Sequence, residues 1–124
     1  MINLDYFCAK YGQEIADKAD KNTLQKALGV LREDGVYAMF LWLEDKDKNI
    51  RCKMLNLLNE NDIKKFLSPD SSNFPDEFKQ FCETLRNVAQ DIDKLLFLKK
   101  ILERTLTYAL YHAKVKGEKN VEQS

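Results

Sequence analysis

One segment constrains this chain more than any other. Residues 36–43, "VYAMFLWL", are eight successive apolar positions that follow the charged stretch "LRED" and a single glycine, Gly35. The run is too apolar for an ordinary surface helix and falls well short of the roughly 18 residues a membrane span needs. Its periodicity fits a buried strand or a buried helix. The aromatics and Val36 favour a strand; Ala38, Met39, Leu41 and Leu43 favour a helix. No other segment offers a strand partner, and a lone strand would leave its backbone groups unpaired. A helix is therefore expected, although an intermolecular sheet between two copies would escape that argument.

The flanking sequence is helical in rhythm. Glycine (4) and proline (2) are scarce in 124 residues, so turns are few and elements long. Leu4, Phe7, Tyr11, Ile15 and Ala19 recur at three- and four-residue spacing and predict a helix over 4–18, capped by Asn3 and interrupted in propensity by Gly12. Leu24, Ala27, Leu28 and Leu31 predict a second helix, capped by Asn22 or Thr23 and ended by Gly35 in a left-handed conformation. "EDKDKN" reads as a polar loop. Ile50, Met54, Leu57 and Leu58 mark a short helix, and Ile63, Phe66 and Leu67 another after Asn61. "SPDSSNFPDE" reads as a linker, with Asn73, Pro75, Asp76 and Glu77 as a helix start. Phe78, Phe81, Cys82, Leu85, Val88 and Ala89 form the next stripe.

The last helix is predicted over 91–116. Ile92, Leu95, Leu96, Leu102, Leu106, Ala109, Leu110 and Ala113 line one side, widened by Leu98, Ile101, Tyr108 and Tyr111. A polar tail, 118–124, follows a helical domain of 1–117. The fold expected is an all-α, compact single-domain bundle of about six or seven helices around a central apolar helix, with residues 36–43 covered all round. Length alone favours one domain.

Charge and cysteine usage narrow the function. The net charge is zero, but from Lys94 to Lys119 seven Lys/Arg face two acids, a local +5. Cys8, Cys52 and Cys82 have neither CxxC nor zinc spacing and read as buried, reduced thiols of a cytoplasmic protein. "MINLDYFCAK" does not resemble a signal peptide. His112 is the single histidine and suits a helix end. "DKDKNI" imitates the start of a calcium loop but has Ile50 where Gly is needed and Asn56 where the bidentate Glu belongs. Acid pairs such as Asp17/Asp20 and Glu33/Asp34 fall on polar faces or helix ends. No phosphate-cradling glycine loop is present. The residues point away from an enzyme, a cofactor and a metal. The positive signal is the basic last helix. Lys99, Lys100 and Arg104, extended by Lys114 and Lys116, suit a phosphate backbone; a solvated helix face is the other reading. Tyr108 and Tyr111 suit base stacking or core packing alike.

The stretch "LQKALGVLREDGVYAMFLWLE", residues 24–44, resembles the helix, glycine turn and apolar helix of the small subunits of type III CRISPR effector complexes, especially the type III-B (RAMP module) small subunit. Asp34-Gly35-Val36 stand where that family has Asn-Gly-Leu, and Ala38 and Phe40 are similar to its small and aromatic positions. "LKKILERTLTYALYHAKVKGEKN" is similar to its basic closing helix. The resemblance implies a non-catalytic cytoplasmic subunit acting in antiviral defence. It would stack in several copies along a ribonucleoprotein filament, with other effector subunits, guide RNA and target RNA as partners and no membrane. The residues it implies for RNA contact are Lys99, Lys100, Arg104 and Lys114 on the last helix, with Lys26 and Arg32 on the second. Residues 35–40 would be structural. A helical protein–protein adaptor without nucleic-acid binding is the alternative.

Overall fold

The computed structural model describes residues 3–68 and 72–123, with side chains up to Lys116. Within them lie seven helices and no strand: α1 (Leu4–Ala16), α2 (Lys21–Asp34), α3 (Val36–Lys46), α4 (Lys48–Leu58), α5 (Asn61–Leu67), α6 (Phe78–Ala89) and α7 (Ile92–Gln123). Carboxylate and amide side chains start most of them, because the first turn leaves backbone N–H groups without partners. Asn3 Oδ1 accepts from the Tyr6 N–H at 3.1 Å, as expected. The cap of α2 is Asp20, not Asn22 or Thr23. Its carboxylate accepts from the Thr23 N–H (2.8 Å) and hydroxyl (3.1 Å), which hold it below the usual carboxylate range. An ionised acceptor makes the stronger cap, and it places Thr23 inside the first turn.

Three other boundaries differ from expectation. No loop spans "EDKDKN": Asp47 alone joins α3 to α4. Its N–H donates to the Leu43 carbonyl at 2.7 Å and closes one helix, while its side chain accepts from the Asn49 N–H at 3.0 Å and opens the next. Helix α6 starts at Phe78, capped by Glu77, rather than at Pro75. The described part of the linker is instead tied to the core. Phe74 is buried, and Asn59 clasps its backbone, accepting its N–H at 2.7 Å and donating to its carbonyl at 3.3 Å. Residues 69–71 of the expected linker lie outside the described residues. Helix α7 continues through Gln123 rather than stopping at Lys116; apart from Gly117, residues 117–123 contain no strong helix breaker.

Buried side chains of all seven helices join one core. Phe40 and Phe81 meet edge to face at 4.8 Å, and Phe74 adds a second edge contact to Phe81 at 6.1 Å. Each fully buried Leu, Met or Phe here contributes on the order of 2 kcal/mol. Gly35 has φ 102° and ψ −179°, an extended mirror-image conformation rather than the expected left-handed helical one. Its N–H donates to Val30 and Leu31 carbonyls at 3.2 and 3.1 Å, closing α2, and its carbonyl accepts from Met39, opening α3. Only glycine enters that region without heavy strain.

Helix α3 packs against α2, α4, α6 and α7, but it is not covered all round. Val36, Met39, Phe40 and Leu43 are buried, whereas Tyr37 and Leu41 are 36% and 46% exposed. The neighbours close an arc at i, i+3, i+4, i+7 spacing and leave the opposite side to water. Arg86 partly shields Tyr37, donating to its hydroxyl at 2.7 Å with the guanidinium 5.8 Å from the ring centre. Trp42 packs at the margin of the core. A similar limit corrects α7. Leu98, Ile101, Leu102, Leu106 and Ala109 are buried, but Ile92, Leu96 and Tyr111 face solvent, since α1 and α2 cover one arc of the helix. Cys8 and Cys82 are buried as expected; Cys52 is exposed, about 160° around α4 from the buried Ile50.

Helices α1 and α7 form the most extensive pairing, and they run in the same direction. The Cys8 thiol donates to the Ile101 carbonyl at 3.5 Å, Gly12 lies on Thr105, Tyr108 and Ala109, and Asp17 reaches Lys116. A Cβ on Gly12 would sit 2.8 Å from the Tyr108 Cβ and 2.9 Å from the Thr105 carbonyl oxygen. Glycine at this position lets the two backbones touch.

Candidate nucleic-acid interface

The outward stripe of α7 is Lys100, Arg104, Thr107, Tyr111 and Lys114. Steps of four, three, four and three residues keep these side chains on one face. Lys100, Arg104, Tyr111 and Lys114 are exposed. With Asp5, Glu103 and Tyr108, the first four of the stripe line an open recess of about 450 Å³ beside the start of α1. Lys114 extends it, its Nζ lying 5.8 Å from the centre of the Tyr111 ring.

Asp5 organises the α1 side of this recess. Its Oδ1 accepts from the Tyr108 hydroxyl at 2.5 Å and lies 3.7 Å from an Arg104 guanidinium nitrogen. The hydrogen bond to the Asp5 carboxylate holds the Tyr108 phenol above its ordinary value. The Arg104–Asp5 pair is solvent-exposed on both sides, and an exposed pair of this kind contributes at most about 1 kcal/mol. Formally the recess holds two cations, Lys100 and Arg104, and two carboxylates, Asp5 and Glu103.

Of the six residues expected at an RNA interface, Lys100 and Arg104 line the recess and Lys114 adjoins it. Lys99 is half-buried and points about 100° away from Lys100 around the helix. Lys26 and Arg32 are exposed on α2, six residues and therefore about 120° apart, and neither lines the recess. Sequence reasoning missed Asp5 and Thr107. The parallel pairing of α1 with α7 brings Asp5 here, and a contact across about 100 residues leaves no local signal.

The most buried charged group serves the fold. Arg51 Nε lies 2.8 Å from Glu44 Oε2, its terminal nitrogen donates to the Asp76 carbonyl at 3.2 Å, and it stands 5.5 and 5.8 Å from the Phe78 and Phe81 ring centres. It ties α3, α4 and the approach to α6 together. Among the described residues no His, Cys, Asp and Glu cluster could hold a metal ion, and no helix is long and apolar enough to cross a membrane. Comparison with protein-family models, curated proteins and solved structures yields no match.

Proposed function

We propose that this chain is a non-catalytic RNA-backbone-binding module, the small helical subunit of a type III CRISPR effector complex, and that Lys100 and Arg104 are its principal phosphate contacts. The observation that carries the reading is the exposed stripe of α7, where Lys100, Arg104 and Tyr111 share one face with Lys114 and open on a recess that Asp5 and Glu103 also line. The all-helical fold and the α2–Gly35–α3 turn are in keeping with the resemblance of residues 24–44. Two phosphate contacts per copy would give a salt dependence of about −1.4 in log K against log salt on a single strand. Binding by one copy is then weak, and copies stacked along one RNA multiply it through effective concentration.

The test is fluorescence anisotropy of the full chain with labelled RNA across a salt series, with Lys100→Glu plus Arg104→Glu as the variant. Binding should weaken as salt rises, and the variant should lose it while keeping its helical circular-dichroism spectrum. No RNA affinity at low salt, alone or assembled with effector subunits, would refute the proposal. Exposed Tyr37 and Leu41 on α3 favour a second reading, a protein–protein adaptor. That reading predicts tight, salt-insensitive association with one protein.

A further inference from the structure

A smaller recess, of about 140 Å³, adjoins the first through Lys100 and Arg104, which line both. The rest of its lining is Leu4 and Cys8 of α1 and Phe97 and Ile101 of α7. Cys8 and Ile101 are buried, and Leu4 and Phe97 are half-buried. Helical spacing sets this composition. Leu4 and Cys8 are one turn apart on α1, as Phe97 and Ile101 are on α7, so each helix offers one apolar pair. Lys100 and Arg104 are also one turn apart, and they place two cations beside those pairs. Among the described residues no carboxylate lines this recess, whereas Asp5 and Glu103 line the first.

The apolar part is held by contacts outside the recess. The Phe97 ring packs on Phe66 of α5, with ring centres 4.5 Å apart. The Cys8 thiol donates to the Ile101 carbonyl at 3.5 Å and joins α1 to α7 at the buried end. Burial pushes that thiol above its ordinary value, so the buried end stays uncharged. The two cations differ in their commitments. Arg104 is paired at 3.7 Å with Asp5, which lines the first recess only. Lys100 has no ion pair or hydrogen bond among the described residues.

An apolar cavity of about 150 Å³ lined by Leu, Ile and Phe side chains takes one benzene-sized group. This recess has that size and that kind of lining. Apolar walls alone would select a neutral hydrocarbon, and two cations alone would take any anion. Side by side they select a molecule that has both parts. We infer that this recess binds a small amphiphilic anion, a carboxylate carrying one benzene-sized apolar group. The apolar group lies among Leu4, Phe97 and Ile101; the carboxylate meets the free Lys100, with Arg104 as a second contact. A nucleobase suits the space less, because its edges carry donors and acceptors that apolar walls would leave unpaired. The inference goes beyond the RNA reading and shares only the two cations with it.

The experiment titrates the isotope-labelled full chain, without RNA and at constant ionic strength, with phenylacetate, and follows backbone amide shifts by NMR. A ligand of about ten heavy atoms and ordinary efficiency should saturate with a Kd of about 5 mM. The shifts should centre on Leu4, Cys8 and residues 97–104. Acetate supplies the head alone and benzyl alcohol the ring alone, and each should bind at least about 5-fold more weakly. Lys100→Gln should weaken phenylacetate about 5-fold, the effect of one exposed ion pair, and leave benzyl alcohol unchanged. Leu4→Ala should weaken phenylacetate and benzyl alcohol and leave acetate unchanged. No saturable shift at this recess, equal binding of acetate and phenylacetate, or Lys100→Gln without effect would overturn the assignment. A chain that binds phenylacetate but not RNA refutes the RNA reading alone, and one that binds RNA but not phenylacetate refutes this inference alone.

Discussion

Two glycines in helix interiors make a matched experiment on the α1/α7 contact. Gly12 and Gly29 both lie well inside their helices, and alanine raises helix propensity by about 0.5–1 kcal/mol at either. Nothing lies within 4 Å of a Cβ at Gly29, so Gly29→Ala should stabilise by about that amount. At Gly12 the same methyl would meet the Tyr108 Cβ at 2.8 Å, the Thr105 carbonyl oxygen at 2.9 Å and the Ala109 nitrogen at 3.1 Å. Ordinary contact requires several tenths of an ångström more. Two of these atoms are backbone, so rotating a side chain cannot relieve the clash; α1 must move away from α7. Overpacking of this kind costs about 1–3 kcal/mol, and the upper half applies because backbone must shift. After the propensity gain, Gly12→Ala should destabilise by about 1–2 kcal/mol. Thermal melts followed at 222 nm should then show Gly12→Ala lower by about 4–8 °C and Gly29→Ala higher by about 2–4 °C. A Gly12→Ala protein melting at or above the unmodified chain would refute the close approach of α1 to α7.

Gly35→Ala should cost about 1–3 kcal/mol in urea unfolding, and Gly35→Asn should not recover it, because asparagine favours the left-handed helical region rather than the extended one at ψ −179°. Leu43→Ala should lose about 2–5 kcal/mol, while Leu41→Ala, two residues away on the open side of α3, should stay within about 0.5 kcal/mol. Burial, then the hydrogen bond to Glu60, push the Tyr11 phenol above its ordinary value. The folded pKa exceeds the unfolded one, so the stability this group contributes is complete below about pH 10 and is lost as pH rises beyond that. Tyr11→Phe should be less stable than the unmodified chain by about 1.5 kcal/mol at pH 7 and should show a flatter decline above pH 10 in pH-resolved denaturation.

Local features of the chain were legible because they are decided within one or two helical turns. The apolar spacing of residues 4–15 and 24–31, the Asn3 cap, the Gly35 stop and the choice of helix for 36–43 all follow from periodicity and from the need to pair backbone groups. The misread boundaries turn on capping: Asp20 rather than Asn22 or Thr23 starts α2, Glu77 starts α6 beyond Pro75, and Asp47 alone ends one helix and begins another where a polar loop was expected. Tertiary packing alone decided which part of an apolar surface is covered. Residues 36–43 are equally apolar on every side, so their sequence holds no information about direction; the positions of α2, α4, α6 and α7 bury Phe40 and expose Leu41. The candidate interface divides in the same way. The alternate four- and three-residue steps that align Lys100, Arg104 and Tyr111 are written in the sequence of α7. The presence of Asp5 beside them depends on α1 lying parallel to α7 across Gly12, a juxtaposition of segments about 100 residues apart that no local pattern encodes.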